Sequence, residues 1–237
     1  MSGGGLVKTW ERGILLGARV VVFLGLVSAV MSGKADQVAA ALSGLVSLFV
    51  PDLVRAVYPN PGRKFWPWVS PFYNDGVYTL FAVFMAAHIT FLNVPFLHLD
   101  LYNRIWGYAD VPSHLLGGLV TWVTFNEVVL ESSRTYGLNW STGKIVGISF
   151  LALILVGVLW EFFEVAMQPA MPWLYESLKN KVQDLAMETL GFVIGLILVG
   201  RFEYPYSLAK PFPGKSGGRG WSPTHRPQEV EEQLRTG

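Results

Sequence analysis

The chain contains no cysteine. Disulfides, thiolate metal sites and cysteine nucleophiles are therefore excluded. It also has little charge: 15% of residues are Asp, Glu, Lys or Arg, where soluble domains carry roughly 25%. Its net charge of +1 supplies no basic excess, so no nucleic-acid partner is expected. Against these scarcities stand 51% hydrophobic residues and a mean hydropathy of +0.39. The composition is that of an integral membrane protein. The opening Met-Ser-Gly-Gly-Gly does not look like a cleavable signal peptide, and the first apolar stretch is long enough to remain as a span.

A spanning helix needs about 20 mostly apolar residues. Six segments meet or approach that: Gly13–Met31, Val38–Val57, Gly76–Val94, Val111–Leu130, Ile145–Met167 and Val182–Gly200. The second is the weakest, because its apolar run stops at Pro51 before Asp52 and Arg55. The expected fold is an all-α integral membrane protein of about six transmembrane helices in a compact bundle, over residues 1–202. Residues 203–237, rich in Pro, Gly, Ser and charge, read as a polar, disordered cytoplasmic tail. The link from Tyr58 to Asn74 holds Tyr58, Phe65, Trp66, Trp68 and Phe72 among its prolines and suits the membrane interface.

The positive-inside rule orients the chain. With both termini in the cytoplasm, 13 Lys and Arg fall on the inner side and 4 on the outer, or 7 against 4 without the tail; Arg19 lies within a span. The expected location is the cell membrane.

Three pairs of ionisable residues lie at helical spacing where apolar segments end: Asp110 with His114, Glu161 with Glu164, and Asp184 with Glu188. Residues three or four apart share a helix face, and an intramembrane acid or histidine is a functional-site candidate. Because the spans alternate in direction, all three pairs fall toward the same, outer side, together with His88 on the third span. One polar site at one depth follows whichever way the chain is oriented. Gly117, Gly118, Gly191 and Gly195 offer close helix approach beside it, and Gly13 with Gly17 offers the same on the first span.

Glu161 follows a long apolar run among Trp160, Phe162 and Phe163 and resists a purely structural reading; the others have one. Asp110 fits an N-cap ahead of Pro112. His114 fits a hydrogen bond to a neighbouring helix, His88 a packed core position, and Glu164 a place at the interface. Asp184 and Glu188 fit an amphipathic turn with Lys179 and Lys181 as surface neighbours. Asn126, Glu127 and Glu131 are expected to meet inner-side solvent.

The set can support three chemistries. Imidazole and carboxylates ligate divalent cations, here Mg²⁺, Mn²⁺, Ca²⁺ or Zn²⁺, with Asp110, His114, Glu161, Glu164 and Asp184 as candidate ligands; none of the sharp metal motifs is present. A histidine beside an aspartate can act as base or nucleophile without metal. Intramembrane acids also suit proton or cation passage.

The run Leu101-Tyr-Asn-Arg-Ile-Trp-Gly-Tyr-Ala-Asp110-Val-Pro-Ser-His114-Leu-Leu-Gly117-Gly118 resembles the Asp-x-x-x-His-x-x-x-Gly block of VanZ-like and YjdF-like membrane proteins. Trp160-Glu161-Phe-Phe-Glu164 resembles their second block, and Gln183-Asp184-Leu-Ala-Met-Glu188-Thr-Leu-Gly191 their third. The order and spacing match over roughly Leu42 to Gly200. Where these families have an acidic loop before the third block, this chain has Met171-Pro-Trp-Leu-Tyr-Glu-Ser-Leu-Lys-Asn-Lys. The resemblance implies a role in the cell envelope and lipid metabolism. It implies a membrane enzyme acting on phosphate-linked head groups of a phospholipid or polyprenyl lipid. His114, Asp110, Glu161, Glu164 and Asp184 would be catalytic, and Arg104 and Glu188 would bind substrate. Membrane lipids are the expected partners. The rival expectations are a proton or metal-ion carrier using the same acids, and a structural membrane subunit.

Overall fold

The computed structural model describes residues 9–33, 35–90, 110–169 and 177–208. Every regular element among them is a helix: α1 (Thr9–Ser32), α2 (Ala35–Ser47), α3 (Val50–Val57), α4 (Trp66–Tyr73), α5 (Asp75–His88), α6 (Asp110–Tyr136), α7 (Thr142–Met167) and α8 (Leu178–Phe202).

Local chemistry sets the helix ends. Asn74 caps α5 by accepting from the Gly76 and Val77 amides. Ser141 caps α7 through the Lys144 amide and Ser177 caps α8 through the Asn180 amide; each side chain satisfies a donor the first turn cannot. Helix α8 stops where Glu203 enters the left-handed region at φ 51° and the Tyr204 amide reaches back to the Leu198 carbonyl, closing the last turn. Residues 48 and 49 form the turn between α2 and α3, and Pro51 sits in the first turn of α3, where its missing N–H costs nothing; in the break the Leu48 carbonyl accepts from Arg19 and Tyr78.

Four helical stretches are long and apolar enough to cross a membrane: Trp10–Ser32, Ala35–Val57, Thr142–Met167 and Leu178–Phe202. Among the described residues the protein is all-helical, and these four stretches give it the character of a membrane protein. Helix α6 is 27 residues long but is not among the four. It packs against α4, α5, α7 and α8, and a helix enclosed by protein can carry polar groups that a lipid-facing one cannot. Helix α5 has 14 residues, and the chain expected to extend its span toward Val94 lies outside the described residues.

Helices α6 and α8 run parallel in close contact, with α7 antiparallel against both. The closeness depends on glycine. A Cβ on Gly118 would lie 2.3 Å from the Glu188 carbonyl oxygen, and one on Gly191 would lie 2.2 Å from the Leu115 carbonyl oxygen. Gly195 similarly makes room for the Trp122 ring. Gly117 faces Phe84 at an ordinary 3.4 Å, while a Cβ on Gly13 or Gly17 would meet nothing within 4 Å, so no close approach to α1 at these glycines is seen among the described residues.

Below this contact Leu119, Trp122, Val123, Leu153 and Val199 form an apolar core, extended by edge-to-face packing of Phe192 on Trp122. A second core joins α1, α2 and α5 through Val22, Ala29, Leu48, Ala82 and Ile89.

Two segments between and after the spans carry structure of their own. The aromatic link between spans two and three contains α4, fastened to the end of α6 by the Trp66 indole on Glu131 (2.8 Å) and the Arg63 guanidinium on the Thr135 carbonyl (2.7 Å). The chain after Phe202 remains ordered through Leu208, with the Tyr206 hydroxyl donating to the Val123 carbonyl at 2.7 Å. Burial pushes the Tyr206 phenol well above its ordinary value and keeps it a donor. Residues 209–237 lie outside the described residues.

Candidate functional site

Parallel α6 and α8 bring His114 beside the first turns of α8, and the reversed α7 brings Glu161 and Glu164 to the same end. Five expected site residues thus converge: His114, Glu161, Glu164, Asp184 and Glu188. Asp110 opens α6, but its side chain, like all of Arg104, lies outside the described residues.

His114 stands between two carboxylates of α8. Its Nδ1 is 3.4 Å from Glu188 Oε1 and its Nε2 is 3.8 Å from Asp184 Oδ1. The first distance is a long hydrogen bond and the second is ionic proximity only. Asp184 is fully buried and accepts from the Asn180 side-chain amide at 3.1 Å. In this rotamer the Glu188 carboxylate occupies space that glycine at residue 157 leaves open: a Cβ there would lie 2.2 Å from Glu188 Oε2. That oxygen is buried with no hydrogen bond among the described residues.

The α7 acids meet Lys181. Its Nζ lies 2.7 Å from Glu161 Oε2 and 3.5 Å from Glu164 Oε2. Glu164 Oε1 accepts from the Trp160 indole at 2.8 Å, so Trp160 and Glu164, four apart, brace each other on one face. The side chains of Lys181, Glu161 and Glu164 are 15%, 13% and 11% exposed, and sheltered charges of this kind attract more strongly than surface pairs. Glu164 also lies within Coulomb range of His114, so the two groups form one electrostatic unit. His88, at the end of α5, contacts Ser113 Oγ at 2.6 Å through Nδ1 and borders the unit.

Sequence reasoning missed two participants. Lys181 is not a surface neighbour but the cation between the α7 acids. Its spacing held the signal, since it sits three residues before Asp184 and so on the same face. Gly157 has no motif around it, and its role appears only once Glu188 is placed.

The far end of α6 holds a second buried polar group. Asn126 donates to Ser149 Oγ at 3.0 Å and accepts from the Tyr206 hydroxyl at 3.2 Å. Asn126 and Glu127 are 0% and 7% exposed, so neither meets solvent as expected; Glu131 pairs with Arg134 at 2.6 Å.

Among the described residues no group of three or more His, Asp or Glu side chains is arranged to hold a metal ion. A divalent cation between Glu161 and Glu164 would have to displace the Lys181 ammonium.

The chain matches no family model, no curated protein and no solved structure.

Proposed function

We propose that this protein is a membrane-embedded enzyme of the VanZ-like and YjdF-like kind, acting on phosphate-linked lipid head groups. In this reading six spans form the bundle, both termini are cytoplasmic, and the His114 site opens outward at head-group depth. The observation that carries it is the placement of His114 between Asp184 and Glu188, beside the Lys181–Glu161–Glu164 ion pair.

Each group then has a task. Glu188 holds Nδ1 and so positions the ring and fixes its tautomer. Nε2 is left to take a proton from a water or head-group hydroxyl, with Asp184 balancing the charge that develops. Lys181 offers a cation to phosphate oxygens. Four carboxylates outnumber that single ammonium, so an anionic substrate needs further positive charge. Arg104 and a divalent cation near Asp110 are the candidates, and a bound cation would polarise the phosphoryl oxygen.

The carrier reading has one observation in its favour, the second buried polar group at Asn126. His114 and Asn126 are 12 residues apart on one helix, about 18 Å at 1.5 Å per residue. The layer of Leu119, Trp122, Val123 and Leu153 fills the interval, with Trp122 and Val123 at 0% exposure. A carrier must open that layer, whereas an enzyme needs it closed beneath the site.

The test incubates purified protein with total membrane lipid and follows every lipid pool by mass spectrometry, with and without Mn²⁺ or Ca²⁺. Turnover of a phosphate-linked lipid, lost in folded His114→Ala and Asp184→Asn, is the expected result. Proton or metal flux in liposomes without lipid turnover would establish the carrier. No turnover and no flux, with variants that fail to fold, would leave only a structural role.

A further inference from the structure

A different polar site lies at the opposite end of α5, where α1, α3 and α5 meet. Its cavity of about 290 Å³ is lined by Arg12, Arg19, Arg55, Asp52, Asp75 and Tyr78, with Leu15 and Leu16 at its edge. Arg19 pairs with Asp52, and Arg55 pairs with Asp75 at 2.7 Å. The two guanidinium groups sit 5.9 and 5.7 Å from the Tyr78 ring, and Arg19 also stacks on Phe49 at 4.4 Å. Aromatic contact holds both groups in place and limits the entropy lost when they bind.

Three cations face two anions, leaving the cavity one positive charge in excess. Arg12, which is exposed, carries that excess at the mouth. Arg19 Nε and Arg55 Nη2 are buried with no hydrogen-bond partner among the described residues. Both nitrogens are closed off from the cavity as the side chains stand, so the guanidinium open to an oxyanion is that of Arg12 at the mouth, whose planar fork matches phosphate oxygens. Beside the mouth the exposed residues Leu16, Val20, Phe23 and Val27 follow each other at helical spacing along α1, an apolar stripe along which acyl chains can lie.

We propose that this cavity binds a phosphate group, and that Arg12 closes the site over it. Tyr78 and His88 are ten residues apart on α5, about 15 Å, so this site is separate from His114 and does not rest on the enzymatic reading.

The experiment uses the full chain in detergent with three probes: phosphatidylglycerol, diacylglycerol, which lacks the phosphate, and inorganic phosphate. Binding is read by native mass spectrometry. Retention of phosphatidylglycerol but not diacylglycerol, weakened roughly tenfold in Arg12→Gln, about the loss of one hydrogen bond to a charged group, identifies a lipid phosphate. Binding of inorganic phosphate alone with the same dependence on Arg12 identifies a free phosphate. Asp52→Asn, which removes a competing anion, should tighten either ligand, and His114→Ala should change neither. Equal retention of diacylglycerol, or affinities unmoved in Arg12→Gln, would overturn the proposal. Arg12 joins no ion pair among the described residues, so its variant tests binding without disturbing the fold.

Discussion

Replacing Gly118 by alanine adds one methyl group where the backbone of α8 already sits. The new Cβ would lie 2.3 Å from the Glu188 carbonyl oxygen and 2.4 Å from the Glu188 Cα. Neither atom can rotate away. Reaching an ordinary contact of 3.4 Å requires α6 and α8 to part by about 1 Å. A gap of that size forfeits a quarter to a half of the dispersion energy at each contact it opens. Overpacking of this kind costs about 1–3 kcal/mol, offset by up to about 1 kcal/mol from alanine's better helix propensity. The neighbouring substitution Gly117→Ala meets Phe84 at 3.4 Å and should be neutral or slightly stabilising. Adjacent variants differing by one methyl group should therefore differ by about 2 kcal/mol in SDS-titrated unfolding followed by circular dichroism. The same movement stretches the 3.4 Å contact of His114 with Glu188 beyond hydrogen-bond range. A misplacement near 1 Å can lower an enzyme's rate about 100-fold, so lipid turnover should fall in Gly118→Ala even under conditions where it is folded. Equal unfolding midpoints for the two variants, or a Gly117→Ala that is the less stable, would refute the parallel glycine contact.

Other substitutions test the remaining links. Lys181→Met leaves Glu161 and Glu164 without their cation and should cost about 3 kcal/mol or more; adding Glu161→Gln and Glu164→Gln should restore much of it, and a triple variant no more stable than the single would refute the ion pair. His114→Ala and Glu161→Gln should leave a folded protein without function, which the lipid assay and circular dichroism check together. Tyr206→Phe should cost about 1 kcal/mol for its lost hydrogen bonds, while a cycle of Asn126→Leu and Ser149→Ala should show coupling of at least 0.5 kcal/mol; strictly additive effects would place these groups apart. Thermal melts with Mn²⁺ or Ca²⁺ test the cation at the His114 site: saturation at 100 times the dissociation constant stabilises by about 2.7 kcal/mol, and a shift that persists in Asp184→Asn would put the ion elsewhere.

The convergence of three helices on one polar end was legible in the sequence because two rules suffice for it. Residues three or four apart share a face, and consecutive spans reverse direction. His114, Glu161, Glu164, Asp184 and Glu188 follow from these without any knowledge of packing. The partners do not. Lys181 sits on the same face as Asp184 but belongs in sequence to a polar stretch, and nothing local tells whether a lysine at a helix start turns to water or to an acid on another helix. Gly157 and Gly118 matter through what faces them, which is a tertiary property; Gly13 and Gly17 have the same spacing as Gly191 and Gly195 and face nothing among the described residues. Helix α6 misled for a related reason. Asn126 and Glu127 read as solvent contacts because polar residues near a span's end usually are, but α6 is enclosed by its neighbours and these side chains find partners inside.

Placing polar groups at both ends of an enclosed helix has an energetic logic. A lipid-facing α6 would have to satisfy His114 and Asn126 against hydrocarbon, at several kcal/mol for each unsatisfied group. Enclosure lets α7, α8 and the segment after α8 supply the partners: Glu188 and Asp184 at one end, Ser149 and Tyr206 at the other. The two ends are not equivalent. At the Asn126 end the amide is paired through neutral hydrogen bonds with Ser149 and Tyr206, while beside it Glu127 is buried with its Oε2 unpartnered among the described residues. The His114 end gathers four carboxylates around one ammonium and one imidazole, an arrangement that packing alone does not require. Helices can be fastened by amides and hydroxyls, as the Asn126–Ser149–Tyr206 contacts do, without gathering four carboxylates. A surplus of acid sheltered at one end of a membrane bundle is better explained by something that comes to it: protons, a cation, or a substrate that brings one.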